Sequence, residues 1–285
     1  MEINNLKVGE TYRTTLSEVE TGEIIHTHVF KQQRSIPSYD KKYQKNELDP
    51  RRFFNVKLDK WVELSALKPS QLGHLIYLAT FMNYKNICCK NETGGFPLTK
   101  HDIQELSGKT LRSVEMSLNE LESANLIEYT EIIHRGKQKK AIKLNAKYFY
   151  RGKHADNGKN RTAKGFVETL RQIYKENSAA SVGFIARLLN HIDKQTNFLC
   201  SNPARNYLYE DLVALSLTDI AAITQITDKT ARKHLRETTY SSYSVFCTVK
   251  TNSGNKIKMN PAVFCRLSGA VMDTVMQDFT AEGRK

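Results

Sequence analysis

The stretch Leu98-Thr99-Lys100-His101-Asp102-Ile103 returns in shortened form as Leu217-Thr218-Asp219-Ile220, with Asp219 standing 117 positions after Asp102. Downstream, Ala141-Ile142-Lys143-Leu144-Asn145 matches Lys256-Ile257-Lys258-Met259-Asn260 at an offset of 115, and Phe149 and Phe264 follow. Upstream, Leu72-Gly73-His74-Leu75 matches Val182-Gly183-Phe184-Ile185 at an offset of 110, followed by Leu78 and Leu188. Identities are few, but the three matches fall in the same order and in the same structural roles. The drift of the offset is what short loop insertions produce. The sequence therefore reads as a duplicated unit.

Each unit has a consistent local grammar. In the first, Ser70 is placed to cap a helix running to about Tyr84, with Leu72, Leu75, Ile76, Ala79 and Met82 at helical spacing. Asn91 to Gly95 reads as a turn. Thr99 caps a second, short helix, and Asp102 three residues on completes an approximate capping box. Ser107-Gly108-Lys109 breaks that helix. Thr110 caps a third running to about Ala124, with Leu111, Val114, Leu118 and Leu121 on one face. Leu126–Tyr129 and Ala141–Leu144 then read as two strands around the basic stretch His134–Lys140. In the second unit Val182 to Ile192 gives the first helix, Thr218 caps the short one, Thr227-Asp228-Lys229-Thr230 opens the third, and Tyr243–Lys250 with Lys256–Asn260 forms the hairpin, with Ser253-Gly254 at its turn.

Helix, short helix, tight turn, longer helix and hairpin is the order of a winged helix-turn-helix. The expected fold is mainly α with small β-hairpins (α+β), built from two such domains in tandem. Residues 61–150 form the first and 166–285 the second, the latter opening with an extra helix near Gly165–Glu176. Residues 151–165, with three glycines and five basic residues, form a mobile basic linker. Residues 1–60 form a basic arm. Within it, residues 31–60 carry nine basic against four acidic side chains, and Tyr12–Leu16 and Ile24–Lys31 are able to pair as a hairpin. Either a DNA-ordered arm or a flexible leader fits that composition.

Charge points to the partner. The chain of 285 residues holds 43 Lys and Arg against 30 Asp and Glu, a net charge of +13, which favours an acidic partner, nucleic acid first and an anionic membrane surface second. No stretch of 18 apolar residues occurs, so no membrane span is expected, and the polar first nine residues hold no signal core. The five cysteines, Cys88, Cys89, Cys200, Cys247 and Cys265, include no C-x-x-C pair. An odd count in that pattern fits reduced thiols in a cytoplasmic protein better than disulfides or zinc. No phosphate-binding loop or dinucleotide fingerprint is present, so neither a nucleotide cofactor nor a metal is expected.

If the third helix of each unit enters the major groove, its first outward residues meet base edges. These are Lys109, Thr110, Arg112 and Ser113 in the first unit, and Lys229, Thr230, Arg232, Lys233 and Arg236 in the second. The hairpin tips would offer cations to phosphate or to the minor groove: Arg135, Lys137, Lys139 and Lys140, then Lys250 and Lys256. Glu115, Glu120 and Glu122 on the first unit's third helix weaken the case there, and winged helices also serve as protein-docking modules.

Three short stretches resemble RepL-type plasmid replication proteins of Gram-positive bacteria: Glu20-Thr-Gly-Glu-Ile-Ile25 with Val29–Ser35, Leu98–Asp102 leading to Leu118-Asn-Glu-Leu121 and Ile127, and Ile142-Lys-Leu-Asn145 with Phe149-Tyr-Arg-Gly152. The resemblance covers about residues 15–152 and returns more weakly over 180–270. The family pattern ends its winged helix in Asn-Pro. The first copy departs from it at Asn145-Ala146 and the second keeps Asn260-Pro261. The second winged helix resembles instead the tandem winged-helix initiators of other plasmids and two-unit relatives of MarR-like regulators. The resemblance implies a sequence-specific binder of double-stranded DNA at a plasmid or phage replication origin, recruiting host replication proteins; homodimerisation stays open. The alternative is a phage or plasmid transcription regulator acting with the host transcription machinery. A third class, a rolling-circle nicking enzyme, would need a histidine pair and a tyrosine nucleophile. His26-Thr27-His28 has a polar middle residue, and Tyr150-x-x-Lys153 is no more distinctive than Tyr39-x-x-Lys42, so no catalytic residue is assigned.

Overall fold

The computed structural model describes residues 11–17, 24–31, 51–90, 95–152, 161–194, 196–203, 212–251, 254–266 and 279. The chain divides into two compact units, Met1–Leu48 and Asp49–Lys285. In the first, β1 (Thr11–Ser17) and β2 (Ile24–Lys31) pair antiparallel with Thr14 opposite His28, the hairpin that the alternating residues suggest. His26 and His28 lie on β2.

The second unit is mixed α+β, and the order of its elements recurs. Its first half runs β3 (Phe53–Lys57), α1 (Leu58–Trp61), a 3-10 turn, α2 (Pro69–Ala79), α3 (Lys100–Ser107), α4 (Leu111–Ser123), β4 (Ile127–His134), β5 (Lys137–Leu144) and β6 (Phe149–Tyr150). The second half runs β7 (Thr162–Phe166), α5 (Val167–Glu176), α6 (Ala179–Arg187), a 3-10 turn, α7 (Leu217–Thr224), α8 (Asp228–Glu237), the small pair β8 (Thr239–Tyr240) and β9 (Tyr243–Ser244), then β10 (Phe246–Thr251), β11 (Gly254–Met259) and β12 (Phe264–Cys265).

The two halves share one sheet and one core. The four-stranded sheet has the order β12-β7-β3-β6. β3 and β7 lie antiparallel at its centre, with Phe54 opposite Gly165, Asn55 opposite Lys164 and Val56 opposite Ala163. β6 flanks β3 with Phe149 opposite Val56, and β12 flanks β7 with Phe264 opposite Gly165. Phe54, Trp61, Phe149 and Phe264 form a chain of edge-to-face contacts over this sheet. They belong to a single continuous cluster of buried apolar residues that runs from Phe54 to Phe264.

Helices α2 and α6 cross in close contact, and two glycines set the distance. A Cβ on Gly73 would lie 1.8 Å from the Ala179 carbonyl oxygen, and one on Gly183 would lie 1.6 Å from the Pro69 carbonyl oxygen. No side chain fits at either point without moving backbone. Polar clasps seal the crossing. Trp61 Nε1 donates to the Ala186 carbonyl at 2.7 Å, and Arg171 donates to the Thr80 carbonyl at 2.8 Å while lying 3.9 Å over the Phe81 ring.

Several sequence expectations need correction. Residues 53–57 fall within the stretch read as a basic arm, and 162–166 run from the stretch read as a linker. Both are strands at the centre of the sheet, and Phe54, Asn55 and Val56 are buried. α2 begins after Lys68, with Pro69 in its first position and Gln71 accepting from the Lys68 backbone N–H at 2.8 Å, so Ser70 is inside the helix. α7 is capped by Ser216, whose hydroxyl accepts from the Asp219 backbone N–H at 3.1 Å. Asp219 reciprocates by accepting from the Ser216 N–H at 2.8 Å. Thr218 lies in its first turn and bonds Asp228 at 3.3 Å. The structural partner of buried Leu98 is thus Leu215 and not Leu217. Thr99 and Thr110 are caps as expected, and Thr227, in the stretch expected to open the third helix of the second unit, is its cap. The turn residues Asn91–Gly94 and Ser253, and residues 153–160 of the linker, lie outside the described residues.

Candidate nucleic-acid interface

The site is built on α8 and its counterpart α4. A left-handed residue ends the preceding short helix in both halves: Gly108 at φ 68° in one, Gln225 at φ 56° in the other. Next comes a threonine cap, its hydroxyl accepting from the backbone N–H three residues on at 3.3 Å in both copies. The common offset of 117 makes Arg112 the counterpart of Lys229, Glu115 of Arg232, Met116 of Lys233 and Asn119 of Arg236.

α8 turns only a thin inner face to the core. Ala231 is fully buried, Leu235 is half-buried, and His234 stacks on Phe184 with ring centroids 4.8 Å apart, burial holding its pKa below the usual imidazole value. Lys229, Arg232, Lys233 and Arg236, at spacing i, i+3, i+4 and i+7, form one exposed stripe. Arg236 bonds Glu237 at 2.9 Å. Among the described residues Lys229, Arg232 and Lys233 are in no ion pair. Thr230 is partly buried, its hydroxyl 2.9 Å from that of Thr227, which places it in the cap rather than on the stripe.

α4 is different. Val114, Leu118 and Leu121 bury its inner face. Outward it shows Arg112, then Met116, which is 55% exposed, then Asn119 and Glu120. Glu115 pairs with Lys100 at 3.2 Å. Ser113 is partly buried, its backbone engaged at both ends by Thr110 and Ser117. Lys109 does not point outward as the sequence suggests. It is half-buried, with Nζ 5.7 Å from the ring centre of Tyr174 on α5. There it adjoins His74, whose Nδ1 lies 2.5 Å from the Tyr174 hydroxyl. Burial, helped by the charge of Lys109, lowers the His74 pKa to about 4.

The first hairpin extends past the core. Its inner residues Ile127, Ala141, Ile142 and Leu144 are buried. Its outer part turns tightly through Arg135 and Gly136, both with positive φ, a two-residue hairpin turn. Arg135, Lys137, Lys139 and Lys140 are all exposed there. Arg135 lies 4.8 Å over Phe96 and Lys140 4.1 Å over Tyr129, so these two are braced by aromatic faces. Lys137 and Lys139 share one strand face and, among the described residues, are in no ion pair.

In the second hairpin Lys250 is exposed, but Lys256 is 4% exposed and Lys258 8%. This corrects the expectation for Lys256 as a tip cation. Strand alternation puts 256 and 258 on one face, and that face is covered from far along the chain. Phe198 bridges Lys258 in β fashion, and Lys258 Nζ lies 5.6 Å from the Phe198 ring centre and 6.0 Å from that of Phe279.

The sequence reading missed Arg187. Partly buried at the end of α6, it donates to the carbonyls of Thr224 and Leu67, the latter at 2.6 Å, and so ties the C-terminus of α7 to the first half. It fixes the helix from which α8 departs. Its signal was present in the sequence: it is the one cation in Ala179–Arg187.

Among the described residues no group of three or more His, Cys, Asp or Glu side chains is placed to hold a metal ion, and no helix is long and apolar enough to cross a membrane. No protein-family model matches the chain, and neither a curated protein nor a solved structure matches it.

Proposed function

We propose that the protein binds double-stranded DNA sequence-specifically through winged-helix units in its two halves, with α8 as the principal reading element. One observation carries this: three cations that, among the described residues, are in no ion pair stand with a fourth in a single stripe on the exposed face of a short helix that follows a tight turn. A helix of that size enters the major groove, where Arg and Lys donate bidentately to guanine O6 and N7. Each good pair is worth about 1–3 kcal/mol of discrimination. Lys137 and Lys139 on the first hairpin, with Arg135 and Lys140 braced beside them, supply phosphate contacts that set register without reading sequence. α4, with one outward cation, contributes less to base reading. The action is non-catalytic: the protein positions DNA, and no side chain need form a covalent bond.

The resemblance of residues 15–152 to RepL-type proteins supports a role at a plasmid or phage replication origin. Selection of bound fragments from random DNA and from the parent replicon, at stated salt, tests both parts. A defined motif repeated within an origin is the expected result. A motif overlapping promoters assigns transcription control instead, and recovery without any motif removes sequence-specific binding.

A further inference from the structure

We infer that one copy of this chain reads an inverted pair of half-sites on a single duplex, unequal in kind, about a two-fold axis inside the chain itself. This rests on the DNA-binding reading proposed for α8. The axis follows from the sheet and the helix crossing. Asn55 and Lys164 face each other and are counterparts at an offset of 109. The pairs Phe54–Gly165 and Val56–Ala163 on either side are exchanged by the same offset. The flanking pairs correspond as well: Val56–Phe149 on one edge matches Gly165–Phe264 on the other, Val56 and Gly165 standing 109 apart and Phe149 and Phe264 115 apart. At the helix crossing, Gly73 meets the Ala179 backbone and Gly183 meets the Pro69 backbone, positions 110 apart in both cases. Trp61 and Arg171, also 110 apart, each reach from the first helix of one half to the C-terminal end of a helix in the other.

Only a two-fold rotation pairs a strand antiparallel with its own counterpart and seats two equivalent glycines reciprocally. Two domains strung head to tail would be related by translation and would do neither. The rotation therefore relates α4 to α8. A two-fold rotation applied to a duplex exchanges its strands, so equivalent surfaces that meet one duplex read their half-sites in inverted order. Direct repeats within one bound site are excluded by the same symmetry. The halves differ chemically. The α8 half presents Lys229, Arg232, Lys233 and Arg236, whereas the α4 half presents Arg112, Glu115, Met116 and Asn119 in the matching places. The α8 half-site is read base by base, and its partner is held mainly through the first hairpin.

The test equalises the halves. In the triple variant Glu115→Arg/Met116→Lys/Asn119→Arg, α4 carries the α8 stripe. The probes are duplexes with one or two copies of the half-site that the unaltered protein selects from random DNA, in inverted or direct order, over a series of spacers. The variant is expected to bind one spacing of the inverted pair about tenfold or more tighter than a single copy, and the direct pair no tighter than a single copy. Preference for the direct pair, or no gain from either order, overturns the inference. The unaltered protein gives an independent readout should the variant fold poorly. Its hydroxyl-radical footprint on the selected site should mirror about one centre between the strands, while a footprint that repeats by translation or covers one half alone contradicts the axis. Failure to select any half-site would instead remove the DNA reading itself.

Discussion

The two halves of the Asp49–Lys285 unit share a skeleton and differ in the surface they show. The shared features are structural constraints: a capping box at Thr99–Asp102 and Ser216–Asp219, a left-handed stop at Gly108 and Gln225, a left-handed asparagine at Asn86 and Asn197, and reciprocal glycines at 73 and 183. The differences are most marked on the outward faces of α4 and α8. α8 carries four cations and two carboxylates, while α4 carries one cation and three carboxylates. The two halves thus share the residues that position a helix and differ in those that α4 and α8 turn to solvent.

The glycine pair allows the hardest test of that common skeleton. Gly183→Val and Gly73→Val should each destabilise by roughly 3 kcal/mol or more, measured by denaturant unfolding, because the new side chain must displace a facing helix backbone. Equal losses support reciprocal seating. A loss at one site alone would break the equivalence. The surface difference is probed next. Arg232→Ala with Lys233→Ala should weaken binding to the selected site by ~1–3 kcal/mol for each base that α8 no longer reads, whereas Glu115→Ala with Met116→Ala should change it little. Equal effects would erase the contrast.

A smaller effect separates the two cores. Position 74 is His in one half and its counterpart, position 184, is Phe. Burial lowers the His74 pKa to about 4, so the folded state resists a proton that the unfolded chain takes up from about pH 6.5 downward. Stability is therefore intact above that range and falls as the pH drops through it, by up to about 1.4 kcal/mol per pH unit for this group. His74→Phe should flatten the decline, and an unchanged slope would show that His74 does not carry it. The two caps should be alike: Thr99→Ala and Ser216→Ala should each cost ~1 kcal/mol in unfolding experiments. Smallest is the hairpin effect. Lys137→Ala with Lys139→Ala should lower the slope of log K against log salt by about 0.9 for each phosphate no longer neutralised, for all sequences alike. Lys256→Ala should leave the slope unchanged, because Lys256 is buried.

These contrasts also mark what a single sequence conveys. Capping signals, helical spacing and the tight turns are local, so Thr99, Thr110 and Thr227 were legible, as was the exposed stripe of α8. Ser216 was missed because Leu217 imitates Leu98; the cap at Ser216 and the burial of Leu215 identify Leu215 as the partner. β3 and β7 were read as arm and linker because Arg51-Arg52 and the glycines near 152–165 outweigh five-residue strands. β3 buries Phe54, Asn55 and Val56 in succession and so lacks the alternation that marks a half-buried strand, while β7 alternates over only five residues, one of them Gly165. The burial of the Lys256–Lys258 face was invisible because the residues against Lys258, Phe198 and Phe279, are remote in sequence. The direction of Lys109 depended likewise on Tyr174.

The central claim, that α8 reads bases in the major groove, is tested most directly by guanine N7 methylation interference on the selected site. With the unaltered protein, methylation of one or more guanines in one half-site should block binding, and with Arg232→Ala at least one of those positions should become indifferent while phosphate contacts persist. An interference pattern identical in the two proteins would contradict the account.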